Sequence, residues 1–427
     1  MEYDTAIPKA VTSDPSSFAH ESVRTRWPII LTGVVDDVYK SVSQCDDPEK
    51  QAEGKQIVAQ LGNLKYELLH DRKLTPLVDD GFSQEIAMYN KELEALGNTS
   101  WLDAPWLFSE CYMYRRMYGF FLATKHWNTY DPFARQKIDS FRTSRSAVIE
   151  LATRYKDIIA KLKANKDVTH DREAEKLLFI ELCEVCLWGN ATDLSLLANM
   201  SFEDIQKLQG SEARKTAEQN ILVNDLPATY EILKKAQAEG RKERRVDFVL
   251  DNAGFELYVD LILAGFMLNT GLATQVILRP KSMPWFVSDV VPADFSVLLN
   301  ALASPKAFFE SPSEEESVSG ETPAPLADSE IEGLLYVFQD WATLHAEGQL
   351  TLRPDRYWTA GGSYWRLPGE HPELHKDLKD AELVIFKGDL NYRKLVSDAN
   401  WDPTTPFTTA IGTMGSGEDE ETKANFF

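Results

Sequence analysis

Three clusters of carboxylates, amides and cations in the second half of the chain have the residue types for chemistry on an anion. Asp251 and Asn252 stand together, with Glu256 one helical turn further on. Arg279-Pro280-Lys281-Ser282-Met283-Pro284-Trp285 runs into Phe286-Val287-Ser288-Asp289. Lys387-Gly388-Asp389 continues into Leu390-Asn391-Tyr392-Arg393-Lys394. Carboxylate and amide oxygens drawn from separate segments are what a hard divalent cation takes as ligands. Each cluster also has a purely structural role open to it. Asp251-Asn252-Ala253-Gly254 is a good turn and helix-capping sequence, Asp289 suits a helix cap, and Lys387-Gly388-Asp389-Leu390 suits a strand-to-helix turn. Repetition favours a site: acids occur at three separate places, beside Lys281, Lys387 and Arg393, in one half of an acidic chain.

The elements that must position these clusters can be read from periodicity. Residues 245–250 form a short apolar run rich in β formers that stops abruptly at Asp251. A helical pattern follows over 255–268, and residues 273–278 and 381–386 read as two further strands. Apolar strands alternating with helices predict a mainly parallel sheet covered on both faces. In such sheets ligands bind beyond the carboxyl ends of the strands, where all three clusters fall. The first half reads as helices, for example over 106–124 and 173–187, with Ser201 a good cap for another. The expected division is a helical region over 1–235 and an α/β metal-binding domain over 236–427. Residues 310–330, crowded with Ser, Pro and Glu, are expected to be a disordered acidic insertion without a catalytic role.

Composition narrows the function. With 67 Asp and Glu against 45 Lys and Arg in 427 residues, the formal charge is −22. Such a surface repels phosphate backbones and anionic lipid, so neither nucleic acid nor membrane is an expected partner. An anionic substrate would then need local positive charge, which a metal ion supplies. Four cysteines make no disulfide framework. Cys183 and Cys186 sit in a helical apolar run and read as buried small residues. His371 and His375 have zinc-pair spacing, but Pro372 between them and the lack of a third ligand favour a solvated loop. No apolar run approaches membrane-spanning length, and Met1-Glu2-Tyr3-Asp4 does not open a secretory signal. The expected location is the cytoplasm, with the nucleus open as well.

At the three clusters the sequence also becomes specific. Asp251-Asn252-Ala253-Gly254-Phe255-Glu256-Leu257, the stretch over 279–289 and Lys387-Gly388-Asp389-Leu390-Asn391-Tyr392-Arg393-Lys394 resemble the signature segments of the damage-control phosphatase (DUF89) family. The nearest branch is its sugar-phosphate phosphatase subfamily III, whose animal members are also called acidic residue methyltransferases. The likeness extends upstream to Trp27-Pro28-Ile29-Ile30-Leu31-Thr32, to Pro105-Trp106-Leu107 and residues 110–116, and to Leu187-Trp188-Gly189-Asn190 with Asp193-Leu194-Ser195. It covers nearly the whole chain to about Phe407.

The resemblance implies a helical N-terminal region followed by a three-layer α/β/α sandwich. It implies a divalent metal (Mn²⁺, Ni²⁺, Co²⁺ or Mg²⁺) bound by Asp251, Asn252 and Asp289, with Asp251 and Asp289 catalytic. It implies substrate contacts from Asp251, Asn252, Glu256, Lys281, Asp389, Leu390, Asn391, Tyr392 and Arg393. The function implied is hydrolysis of small sugar phosphates of the fructose 1-phosphate or fructose 6-phosphate type, as metabolite damage control. The metal would neutralise phosphate charge and lower the pKa of a bound water. Direct attack by water and first attack by Asp251 both stay open.

One feature of the subfamily does not occur. Its Arg-Thr-x-Lys motif, whose lysine reaches the substrate phosphate, is absent. After Phe407 the chain reads Thr408-Thr409-Ala410-Ile411-Gly412-Thr413-Met414-Gly415-Ser416-Gly417 and then an acidic tail, read as flexible. The expectation is a chain that folds and binds metal but turns over slowly. Two alternatives accompany it: an S-adenosylmethionine-dependent protein carboxyl methyltransferase, and an inactive, C-terminally truncated member that only binds partners.

Overall fold

The computed structural model describes residues 4–164, 172–187, 221–320 and 322–415, and the backbone of 425–426. The expected cap at Ser201 and the segment over 188–195 lie outside the described residues. After a short helical turn over residues 18–26 come four longer helices: α1 (Trp27–Ser43), α2 (Pro48–Leu69), α3 (Ser83–Leu96) and α4 (Trp106–Leu122). Each presents apolar residues at three- and four-residue spacing, and those stripes meet in one core that includes Trp27, Leu61, Tyr89 and Tyr112. α5 (Ala134–Thr143), α6 (Arg145–Ala164), α7 (Arg172–Leu187) and α8 (Leu226–Ala238) follow.

The chain then alternates strand and helix. β1 (Arg245–Val249) leads to α9 (Phe255–Thr270), and β2 (Gln275–Arg279) to α10 (Pro292–Ala303) and α11 (Asp328–Ala346). β3 (Leu350–Leu352), α12 (Pro372–Lys379), β4 (Leu383–Phe386), α13 (Gly388–Leu395) and the two-residue β5 (Asn425–Phe426) complete it. The sheet order is β3-β2-β1-β4-β5, and every pair is parallel. This is the expected α/β class with a parallel sheet.

Alternation along the strands assigns the two faces. Val246, Phe248, Val276, Leu278 and Leu383 join the core built with α6, α7, α9, α10 and α11. Val249 and Val384 join a second core with Tyr357, Trp358, Leu374 and Leu378 on the opposite face. α9 is buried along almost its whole length because it lies between the sheet and the α6–α7 layer.

Three stretches differ from the reading of the sequence. The core on the α9 face takes in Phe141, Leu151, Phe179 and Tyr230, so the hydrophobic core runs across the expected boundary at 235. The acidic stretch carries a short helix, Glu314–Ser319, closed by a Ser313–Glu316 capping box and a left-handed Gly320. Leu326 beyond it is buried and donates its N–H to the Glu310 carboxylate at 2.9 Å. Composition alone concealed that local capping. The start of the glycine stretch from Gly412, read as part of a flexible tail, packs instead: Met414 is buried beside Ala410 and Ile411, and Gly412 lies against the Trp365 ring.

Candidate active site

The parallel register brings three chain segments to one rim. Val249 of β1 lies opposite Arg279 of β2 and Phe386 of β4, so Asp251, Lys281 and Gly388 emerge side by side. The Lys387 N–H extends the ladder to the Val249 carbonyl at 3.0 Å. The loop after β2 then folds back. Val290 N–H donates to the Asp251 carbonyl and Ala253 N–H to the Ser288 carbonyl, both at 2.7 Å. Asn252 and Asp289 pair as an isolated antiparallel bridge. Asp251, Asn252 and Asp289, far apart in sequence, are thus neighbours through the backbone.

Their side chains form a connected polar cluster. Asp251 and Asp289 are buried, at 6% and 2% exposure. The Asn252 amide nitrogen donates to Asp251 Oδ2 at 2.7 Å and to Glu256 Oε2 at 2.8 Å. Its oxygen accepts from the Ser288 hydroxyl. Lys281, fully buried, donates to the Leu250 carbonyl at 2.7 Å and pairs with Asp289 Oδ2 at 3.2 Å. Burial pushes the Asp251 carboxyl well above the usual carboxylate range; Asp289, Glu256 and Asp389 add to the rise, and Lys281 opposes it. Burial likewise pushes Asp289 up to about 6, against the pull of Lys281 and Lys137.

Backbone geometry tightens the rim at two points. Gly388 has φ +77°, and a methyl group there would lie 2.0 Å from Asp251 Oδ2. Only glycine lets α13 start that close to the carboxylate. On the other side, Phe286 and Val287 have φ of 43° and 68°, and the Ser288 N–H returns to the Phe286 carbonyl at 2.8 Å. This is a γ-turn of the rare hand, and a left-handed β-branched residue costs about 1–2 kcal/mol. Tyr114 of α4 holds the turn, with its ring stacked on Phe286 at 4.8 Å and tilted against Trp285 at 5.7 Å.

The third cluster divides between the rim and the interior. Asp389 is exposed in the first turn of α13, and Tyr392 is exposed one turn on, stacked with Phe407 at 6.3 Å. Leu390 is buried in the core of the helical region. Asn391 is fully buried: its nitrogen donates to the carbonyls of Val249, Leu250 and Lys387, and its oxygen accepts from the Tyr364 hydroxyl at 2.6 Å. It thereby fixes the main chain just before Asp251. Arg393 pairs with Glu110 at 2.9 Å and Asp398 at 3.0 Å, over the Trp106 ring. Among the described residues, no side chain caps α13 or α9. Their first-turn N–H groups are therefore suited to an anion.

Of the three cations expected nearby, only Lys281 touches the acid pair. Lys387 turns toward Asp260 and Arg393 toward Glu110, while Arg279 binds Asp247 at 2.6 Å within the sheet. The sequence reading missed Asp260, Ser288 as the partner of Asn252, the Tyr114 clamp, and Lys394, buried against the Ala360 carbonyl. Only Asp260 left a signal, four residues after Glu256 on one helix face. A separate cavity of about 800 Å³, lined by residues such as Phe82, Glu85, Arg356 and Glu370, includes none of the cluster.

The damage-control phosphatase ARMT1-like domain matches residues 22–416, and the chain belongs to the damage-control phosphatase family of phosphoric monoester hydrolases. Damage-control phosphatase ARMT1 of Xenopus laevis is 34% identical over 409 residues, spanning 93% of this chain and 86% of that protein. The Mus musculus protein of the same name is 32% identical over 409 residues with the same shares. A crystal structure of a DUF89 family protein from Pyrococcus horikoshii matches over 93% of this chain and 88% of that one, at 16% identity and a TM-score of 0.37.

Proposed function

We propose that this phosphatase hydrolyses small sugar phosphates of the fructose 1-phosphate and fructose 6-phosphate type, in the cytoplasm, with a divalent cation held by Asp251, Asn252 and Asp289. One observation carries the reading: among the described residues, the buried carboxylates gathered at the rim outnumber the lysines paired with them. The contacts running Asp251–Asn252–Glu256–Lys387–Asp260 and the Lys281–Asp289 pair, joined to them by the Asn252–Asp289 backbone bridge, hold four buried carboxylates and two buried lysines. Fully ionised, the cluster is two negative charges in excess, which a divalent cation balances. Among the described residues, no three His, Cys, Asp or Glu side chains are grouped to hold a metal by themselves. Asn252 is the amide in contact with Asp251, and its side-chain oxygen is the neutral third ligand of this reading.

A bound Mn²⁺, Ni²⁺, Co²⁺ or Mg²⁺ would supply charge neutralisation for phosphoryl oxygens and a water of lowered pKa. The protein's part is to hold donors in place before the substrate arrives. Lys281 fixes Asp289, Asn391 fixes the end of β1, and Gly388 brings the uncapped start of α13 against Asp251. Asp389 and Tyr392 face solvent on the same rim, where they suit contact with a sugar.

The test combines binding with turnover. Wild-type protein should gain thermal stability on adding Mn²⁺ and release phosphate from fructose 1-phosphate. Asp251→Asn removes a buried charge, so the metal-free variant should be more stable than metal-free wild type by about 1–3 kcal/mol. It should gain nothing from Mn²⁺ and lose hydrolysis by at least about a thousand-fold. A wild-type chain with neither a Mn²⁺-dependent melting shift nor metal-dependent hydrolysis would overturn the proposal.

A further inference from the structure

Lys387 is the cation that the third cluster would offer to a phosphate, yet it points into the protein. Its backbone ends β4, and its side chain crosses to α9 and the end of α7. There Nζ lies 2.7 Å from Asp260 Oδ1, 2.9 Å from the Cys186 carbonyl and 3.5 Å from Glu256 Oε1. Glu256 and Asp260 are four residues apart on one face of α9, both buried. Two buried carboxylates one turn apart repel each other unless a cation lies between them, and Lys387 is that cation. The other oxygen of Glu256 accepts from the Asn252 amide, which also contacts Asp251.

We propose that Lys387 and Asp260 form a buried positioning pair that holds Glu256, and through it the Asn252 amide, in working orientation at the rim; the proposal rests on the phosphatase reading above. Neither residue touches substrate. Charge explains why both are needed. Glu256, Asp260 and Lys387 together carry one negative charge. Removing the lysine leaves two, removing Asp260 leaves none, and removing both restores one.

Kinetics of fructose 1-phosphate hydrolysis under saturating Mn²⁺ test this with Lys387→Met, Asp260→Asn and the double variant. Lys387→Met should lower kcat about a hundred-fold with KM within about two-fold, because alignment is lost and not a ligand contact. Asp260→Asn should lower kcat about ten-fold, and the double variant should recover to within about ten-fold of wild type. A Lys387→Met single variant that fails to fold beside a folded, active double variant supports the pair equally. If neither folds, Lys387→Arg keeps a charge between the carboxylates and should retain kcat within about ten-fold at unchanged KM. A raised KM at unchanged kcat in either Lys387 variant would make Lys387 a phosphate contact and overturn the proposal, as would a double variant no faster than Lys387→Met. An inactive wild type would remove the phosphatase reading and this role with it; an active wild type without rescue removes the pair alone.

Discussion

Replacing Gly388 with alanine tests how closely the rim is built. The added Cβ would meet Asp251 Oδ2 at 2.0 Å and Cγ at 2.1 Å, where ordinary contact begins at 3.4 Å. Either the carboxylate or the first turn of α13 must move by more than an ångström. Neither is free to do so. The Asp251 carbonyl is held by the Val290 N–H, its carboxylate by the Asn252 amide, and the residue before Gly388 by the Val249 carbonyl. Two costs follow. The left-handed backbone costs about 1–2 kcal/mol of stability once a side chain is present. Displacing a catalytic group by roughly 1 Å costs about a hundred-fold in rate.

Gly240 separates the two costs. It has φ +69° with no atom within 4 Å of an added Cβ, and it lies just past α8, at the end of the sheet opposite the rim. Gly240→Ala should lose about 1 kcal/mol in urea unfolding and keep wild-type turnover. Gly388→Ala should lose at least as much stability and, in addition, about a hundred-fold in kcat on fructose 1-phosphate under saturating Mn²⁺. If Gly388→Ala turned over within about three-fold of Gly240→Ala, the carboxylate would have room to yield, and the argument for a preset rim would fail.

Two other perturbations separate structural from chemical roles. Arg393→Met leaves Glu110 and Asp398 buried without their cation, so urea unfolding should show a loss of about 3–5 kcal/mol while KM hardly changes; a ten-fold higher KM at unchanged stability would show instead that the guanidinium binds substrate. Asp260 is pushed up to about 6 by burial, which outweighs the pull of Lys387. The folded state therefore holds its proton more tightly than the unfolded chain, whose carboxylate titrates near about 3.9. Wild-type stability relative to Asp260→Asn should fall as pH rises from roughly 4 to 6 and level off above; a difference that grows with pH would contradict this.

The sheet was legible because its strands are short apolar runs that end at charged residues, and β1, β2 and β4 fall within two residues of the stretches read from sequence. The acids of the site were legible for the same reason, since Asp251 follows directly on such a run. Side-chain direction was not. Lys281 and Lys387 each leave a strand end, but one turns to Asp289 and the other to Asp260, a choice set by partners on other elements. Arg393 finds Glu110, 283 residues earlier in the chain, and no local pattern encodes that pairing. The Ser- and Glu-rich stretch was misread because composition was weighed before the Ser313-x-x-Glu316 capping box.

The helical region packs directly against the segments of the candidate site. Met283 and Trp285 of the loop after β2, and Leu390 of α13, are buried in the core of α1 to α4. Tyr114 of α4 retains the left-handed turn at Phe286 and Val287, and Asp289 follows two residues behind. Glu110, one turn earlier on α4, binds Arg393 of α13 and accepts from the Trp27 indole at 3.0 Å. Asp398 binds the same arginine and accepts the Leu107 N–H at the start of α4, also at 3.0 Å. The segments around Trp106 and around Asp389 therefore form one structural unit. Strand register brings Asp251 to the rim, whereas the turn before Asp289 and α13 are also held from the helical side. The spacing of the two acids thus depends on how the two halves of the chain pack together.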